Sequence, residues 1–258
     1  MRPITDDQVN FFQGNGYIQI DDVLSPGEVS ELRIAVEEAK GRRQKFHMRH
    51  EQFDQYANLW TIHEGVSRHV LSPKLGEIAR RLSRSSRIRI WSDQLLVKMP
   101  GGRPSYWHQD VPLWAMLERG ALSCWMALVD VTVSMGCMQF IPGSHRWGRF
   151  AWKTLPSEML EGLDGLRLLL PRDKHDLLRP VEVPLKAGSC TFHDGLMMHY
   201  AGPNLTNRPR LGLVTHYVPD GTRFSGINSS FMTDAAGLIA GQPIEGDLFP
   251  VVASEDTD

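Results

Sequence analysis

The sequence predicts a mainly β protein with an α-helical N-terminal part, and three features carry that prediction. Two helix-capping signatures lie near the N-terminus, and short strand-like runs punctuated by glycine and proline dominate after Arg84. No segment approaches the run of about 18 uninterrupted apolar residues that a membrane span needs.

The first signature is Thr5 with Gln8, ahead of Val9, Phe11 and Phe12, in a helix that Gly14 and Gly16 stop. Tyr17-Ile18-Gln19-Ile20 then reads as a strand. Ser25 with Glu28 repeats the capping pattern, with Pro26 at the first helical position. Val29, Leu32, Ala35, Val36 and Ala39 keep one apolar face, which predicts a helix to about Lys40. Residues 41–64 are basic at first, carry His47, His50 and His63 and show no clean period, as a loop over the surface or the site would. Ser72-Pro73 opens another helix. Strand-like runs follow at 87–99, 121–131, 137–141, 181–185, 189–193 and 210–218. Residues 147–180 interleave Arg149, Lys153, Arg167, Arg172 and Lys174 with leucines and read as an insertion packed on the β core. Those charges hint at an anionic substrate, with a solvated face as the ordinary alternative. The expected organisation is one domain over 1–258, with a mainly helical part at 1–85, the β core at 86–220 and a C-terminal extension at 221–258.

Composition narrows the function classes. The chain has 258 residues, 41% hydrophobic and 22% charged, enough for a single domain with a sizeable core. A formal net charge of -2 gives no global pull towards nucleic acid or anionic membrane, so a small-molecule partner is expected. Cys124, Cys137 and Cys190 stand singly in apolar segments, which suggests neither a disulfide framework nor a zinc ribbon. With no apolar stretch behind Met1-Arg2-Pro3, the expectation is a soluble, cytoplasmic protein. Nothing in the sequence sets an oligomeric state.

The chemistry lies in His108-Gln109-Asp110. Residues i and i+2 of an extended segment share a face, so this imidazole and carboxylate can converge on one cation. Alone, such a pair is also ordinary turn polarity. His199 lies where a strand runs into Gly202-Pro203, and it supplies the third ligand. Two histidines and one carboxylate on one face of an octahedron leave three positions open, the arrangement of non-haem Fe(II) oxygenases. Those positions suit a bidentate 2-oxo acid and dioxygen, and the distal carboxylate of 2-oxoglutarate then needs a fixed cation. Arg210, eleven residues after His199, is the candidate, with Arg208 as near competitor. A guanidinium grips a carboxylate through parallel charge-assisted bonds of roughly 1.5–3 kcal/mol each.

At this point the sequence resembles the phytanoyl-CoA dioxygenase family, through Trp107-His108-Gln109-Asp110, the segment Gly136-Cys137-Met138-Gln139-Phe140-Ile141-Pro142-Gly143-Ser144-His145, and His199 with Gly202-Pro203-Asn204 and Arg208-Pro209-Arg210. Asn15-Gly16-Tyr17 and Leu24-Ser25-Pro26-Gly27-Glu28 also look like the opening of that family, so the resemblance covers roughly 5–220. It implies a double-stranded β-helix, a cupin-like jelly roll holding iron inside, and a 2-oxoglutarate-dependent dioxygenase reaction. Fe(II), 2-oxoglutarate and O2 are the cofactors it implies. Oxidative decarboxylation to succinate and carbon dioxide would then be coupled to hydroxylation, or a related desaturation or ring closure, at an unactivated C–H bond. By the same resemblance Lys98 and Trp125 line the cosubstrate pocket, although Lys98 also reads as a solvated strand residue and Trp125 as plain core. Ala201 stands where some members place a serine that bonds the cosubstrate, so that contact is lost. His193 is expected to support the site rather than bind metal, and His145 to serve the Pro-Gly-Ser-His turn. Tyr106, Trp107, Trp114 and Met197 would give the pocket apolar walls. Asp110 fills the position that an iron halogenase vacates for halide. Two other readings stay open, a metal-dependent hydrolase on the same barrel and a non-catalytic jelly-roll binding module. The primary substrate is not legible.

Overall fold

The structure, a computed structural model, describes residues 3–42, 54–112, 114, 116, 120–150, 162–226 and 237–255. Helix α1 (Asp6–Asn15) begins as its capping box dictates. Thr5 Oγ1 accepts from the Gln8 amide at 3.2 Å, and Gln8 Oε1 accepts from the Thr5 amide at 2.9 Å. After β1 (Tyr17–Ile20), α2 (Pro26–Lys40) repeats the device, the Glu28 carboxylate accepting from the Ser25 amide at 2.7 Å. Its five predicted apolar positions are all buried.

The expected 41–64 loop is corrected in its described part; His47 and His50 lie outside the described residues. Strand β2 (Asp54–Ala57) pairs with the long β3 (Arg87–Lys98), and residues 59–61 form a 3₁₀ turn. Asp93 of β3 caps that turn, its carboxylate accepting from the Leu59 and Trp60 amides at 3.1 Å each. Both contacts join positions far apart in sequence, so local periodicity could not reveal them. Helices α3 (Glu64–Val70) and α4 (Pro73–Ser83) follow.

Among the described residues the β core has two antiparallel sheets and no closed barrel. Among the described residues the larger runs in the order β1-β8-β5-β10-β3-β11, with β2 also paired to β3. It comprises, besides β1 to β3, β5 (Leu122–Ala127), β8 (Cys190–Asp194), β10 (Arg210–Pro219) and β11 (Val251–Ser254). The smaller has the order β4-β9-β6-β7, from β4 (Ser105–His108), β9 (His199–Ala201), β6 (Met138–Phe140) and β7 (Val181–Val183). Leu95, Met126, Phe192 and Leu213 on the outer face of the larger sheet pack against the N-terminal helices. On its inner face, Trp125 and Val214 meet Met138, Phe140 and Ala201 of the smaller sheet. This is a jelly roll with flanking helices.

Of the 147–180 insertion, 151–161, with Lys153, lies outside the described residues. Helix α5 (Leu163–Leu169) packs on the outer face of the smaller sheet, where Leu166 joins Trp107 and Met198. On that same face Trp107 and Tyr200 stack, ring centroids 5.2 Å apart. Arg167 pairs with Asp164 at 2.5 Å and Lys174 with Asp173 at 3.0 Å, so those charges form a solvated, self-neutralised surface. The C-terminal extension supplies β11, which adds to the edge of β3. No helix among the described residues is long and apolar enough to cross a membrane, and all three cysteines are free and buried.

Candidate metal centre

His108 ends β4 and His199 begins β9, and the antiparallel register sets them opposite each other with ring centroids 4.0 Å apart. Asp110, two residues past the strand end, turns its Oδ1 to within 3.7 Å of His108 Nε2 and 3.6 Å of His199 Nε2. One ligand atom from each of the three lies within 4.8 Å of the others.

Both imidazoles are held in the orientation that metal ligation would need. His108 Nδ1 lies 2.7 Å from the Tyr106 carbonyl and His199 Nδ1 2.9 Å from the Met197 carbonyl. A carbonyl can only accept, so each Nδ1 carries a proton, and Nε2, the nitrogen turned towards Asp110, is the one placed for a metal. Burial alone would raise the Asp110 carboxyl, but His199, His193 and His108 outweigh it and hold Asp110 well below the usual carboxylate range. Burial and then the neighbouring His108 push His199 well below its ordinary value. A charged carboxylate beside a neutral imidazole is the protonation state a divalent cation requires. Two nitrogens and one oxygen in this arrangement fit Fe(II), with positions left for other ligands.

Several side chains hold this constellation in place. Gln109, fully buried between His108 and Asp110, donates from Nε2 to the Leu196 carbonyl at 2.7 Å and the Gly148 carbonyl at 2.8 Å; its Oε1 accepts from the Phe150 amide at 3.0 Å. Ser144, in the Pro-Gly-Ser-His turn, accepts from the Met198 amide at 2.9 Å and so anchors the strand bearing His199. His145 of the same turn lies 3.2 Å from the Gln13 carbonyl. Asp110 Oδ2 is 2.7 Å from Ser123 Oγ and 3.2 Å from His193 Nε2, and Ser123 Oγ is 3.0 Å from His216 Nδ1. Burial pushes His216 down to about 4, so it is neutral.

A second cluster lies on the adjoining strands. Arg210 and Lys98 are direct partners between β10 and β3, and both are buried. Arg210 Nη1 donates to the Gly136 carbonyl at 2.5 Å, its Nε has no hydrogen-bond partner among the described residues, and its guanidinium carbon lies 5.4 Å from the Trp125 ring centroid. Gly136 has φ +76, and a Cβ there would lie 2.0 Å from the Gly202 oxygen, so a glycine is required for that carbonyl to face Arg210. Lys98 Nζ donates to the carbonyls of Gly202 at 2.7 Å and Ala201 at 3.2 Å. Burial, then the charge of Arg210, pushes Lys98 down to about 6. Burial also lowers Arg210, though a guanidinium stays charged. A buried guanidinium with a buried amine beside it on the next strand, able to take up a proton, makes a site for an anion. Arg208, the competitor, is exposed.

The sequence did not point to Ser123, His216, Gly212 or the bridging role of Gln109. Strand alternation was the available signal, because His216 shares the face of Arg210 on β10 and Ser123 the face of Trp125 on β5.

Residues 12–212 match the family model described as Phytanoyl-CoA dioxygenase (PhyH). The ectoine dioxygenase of Bordetella parapertussis is 28% identical over 236 residues, which is 82% of this chain and 74% of that protein. Among solved structures, the non-heme alpha ketoglutarate dependent carbocyclase SnoK from nogalamycin biosynthesis superposes with a TM-score of 0.81 at 29% identity, over 96% of each chain. The epimerase SnoN, in complex with Fe3+, alpha ketoglutarate and nogalamycin RO, gives a TM-score of 0.82 at 27% identity, over 96% of this chain and 98% of its own.

Proposed function

The chain belongs to the phytanoyl-CoA dioxygenase family, and from that premise we propose that His108, Asp110 and His199 hold Fe(II) while Arg210, Lys98 and Trp125 receive 2-oxoglutarate. The protein is a 2-oxoglutarate-dependent non-haem iron dioxygenase. The observation that carries the residue assignment is the meeting of three ligand atoms within 4.8 Å, both imidazoles already in the ligating tautomer.

When bound, the iron with 2-oxoglutarate and dioxygen supplies an oxidising centre that couples loss of carbon dioxide, and formation of succinate, to attack on a substrate C–H bond. The chain's own groups place and protect that centre. Asp110 offers one negative charge and the two histidines none, so a divalent ion keeps net positive charge to attract an anionic 2-oxo acid. Arg210 and Lys98 fix the distal carboxylate and so set the direction in which the 2-oxo end points. Trp125 covers the guanidinium and excludes water from the ion pair, which strengthens it.

The substrate is a small molecule that approaches from the His108 side. The His108 side chain is 29% exposed, against 6% for His199 and 12% for Asp110. Hydroxylation of an unactivated C–H bond is the reaction proposed. A metal-dependent hydrolase would have no use for the buried Arg210. Anaerobic titration with Fe(II) and 2-oxoglutarate tests the reading. A visible charge-transfer band of the chelated 2-oxo acid is expected in wild type and not in Asp110→Ala or His199→Ala, and equal bands in all three would refute the ligand assignment.

A further inference from the structure

We infer that Ser123 and His193, with His216 behind Ser123, clamp Asp110 as a one-oxygen ligand, presenting Oδ1 to the metal and keeping Oδ2 out of its coordination sphere. The inference rests on the iron reading above and concerns three residues that play no part in the metal or cosubstrate contacts proposed there.

The three come from one level of the larger sheet. Ser123 of β5 is the direct partner of His193 on β8 and of His216 on β10. One rung across three neighbouring strands therefore points at one carboxylate. Both donors go to the same oxygen, Ser123 Oγ at 2.7 Å and His193 Nε2 at 3.2 Å, while Oδ1 faces His108 and His199.

The proton directions follow from what each atom can do. A carboxylate only accepts, so the single hydroxyl hydrogen of Ser123 goes to Asp110, and Ser123 Oγ must accept from His216 Nδ1–H at 3.0 Å. His193 likewise donates from Nε2. Its Nδ1 and the Nε2 of His216 are buried without a hydrogen-bond partner among the described residues, so no second hydrogen bond draws either ring away from Asp110 and Ser123. Trp114 stands edge-on to His216 with centroids 4.5 Å apart, and Phe140 lies 5.3 Å from His193, so neither ring is free to turn away.

A carboxylate with one oxygen committed to two protein donors cannot chelate through both. It leaves to the 2-oxo acid and dioxygen a position that a bidentate Asp110 would occupy.

The test compares wild type with Ser123→Ala, His193→Leu and His193→Gln, the last keeping an N–H donor near the place of His193 Nε2. Fe(II) affinity is measured anaerobically by competition with a chromogenic chelator, and the charge-transfer band is recorded with 2-oxoglutarate. Ser123→Ala and His193→Leu are expected to bind Fe(II) about 10–100-fold more weakly and to shift the band, with His193→Gln recovering most of the affinity. Wild-type affinity and an unmoved band in Ser123→Ala would overturn the clamp, and so would His193→Gln no better than His193→Leu. Should His193→Leu not fold, Ser123→Ala decides alone, since it removes a single oxygen. A wild-type protein with no band would instead sink the iron and 2-oxoglutarate reading itself.

Discussion

Gly212 offers a quantitative test of how the proposed cosubstrate pocket is built. It lies in β10 between Leu96 of β3 and Ala127 of β5. A Cβ placed there would meet Trp125 Cζ2 at 2.1 Å and Cε2 at 2.4 Å. Carbon atoms rest about 3.5 Å apart or more, so in Gly212→Ala the indole must retreat by about 1.4 Å. The strand cannot yield, being hydrogen-bonded on both edges, and Trp125 is 2% exposed with core on its other side. Overpacking of this kind costs about 1–3 kcal/mol. At about 2–4 °C per kcal/mol for a chain of this size, the melting temperature should fall by roughly 2–12 °C. Because the ring lies against Arg210, 2-oxoglutarate affinity should fall with it. Calorimetric melts and titration of the metal-loaded protein with 2-oxoglutarate read both effects. Adding Trp125→Leu should absorb much of the Gly212→Ala loss, a non-additivity that two independent sites would not give. A Gly212→Ala protein that melts with wild type and binds 2-oxoglutarate equally well would refute the argument.

Three more predictions can be checked with standard assays. Arg210→Met should raise the KM for 2-oxoglutarate at least tenfold, given about 1.5–3 kcal/mol per charge-assisted bond, while the Fe(II) affinity measured without cosubstrate stays near wild type. Lys98 sits at about 6 in the fold against 10.5 for the free side chain, so between those values the unfolded chain binds more protons and stability from this group rises with pH. An anion that favours the ammonium should draw a proton in on binding near pH 8, seen as a buffer-dependent heat that Lys98→Met abolishes. Burial pushes His69 down to about 4. The stability it contributes is present above about 6.5 and is lost as pH falls towards 4, by roughly 3 kcal/mol at most; His69→Leu should flatten that part of the acid unfolding curve, and an unchanged curve would count against its being buried and neutral.

Much of the architecture could be read from the chain because local signals agree with the global fold. The capping boxes at Thr5 and Ser25, the apolar stripe of α2 and strands β1, β3, β5, β8 and β10 of the larger sheet carry signals in neighbours a few residues away. What escaped depends on distant partners. Strand β2 exists because one end of the β3 edge away from β10 is open to it, β11 because the other end of that edge is, and the 59–61 turn because Asp93 caps it. The same division holds at the proposed metal centre. His108 and Asp110 announce themselves by spacing, and His199 by its Gly-Pro turn. Ser123 and His216 carry no motif, and their meaning arises only when β5, β8 and β10 are laid side by side.

The stacked pair of Trp107 and Tyr200 has a consequence for how this protein can vary. Each ring is the immediate sequence neighbour of a proposed ligand, and strand alternation sends the aromatic outward and the imidazole inward. A slip of one residue between β4 and β9 would carry the indole into the chamber and a histidine out under α5. The outer pair therefore works as a lock on alignment. So long as those two rings stay clasped, whatever is laid over that flank can be exchanged, lengthened or reshaped without disturbing the spacing of the nitrogens on the far side.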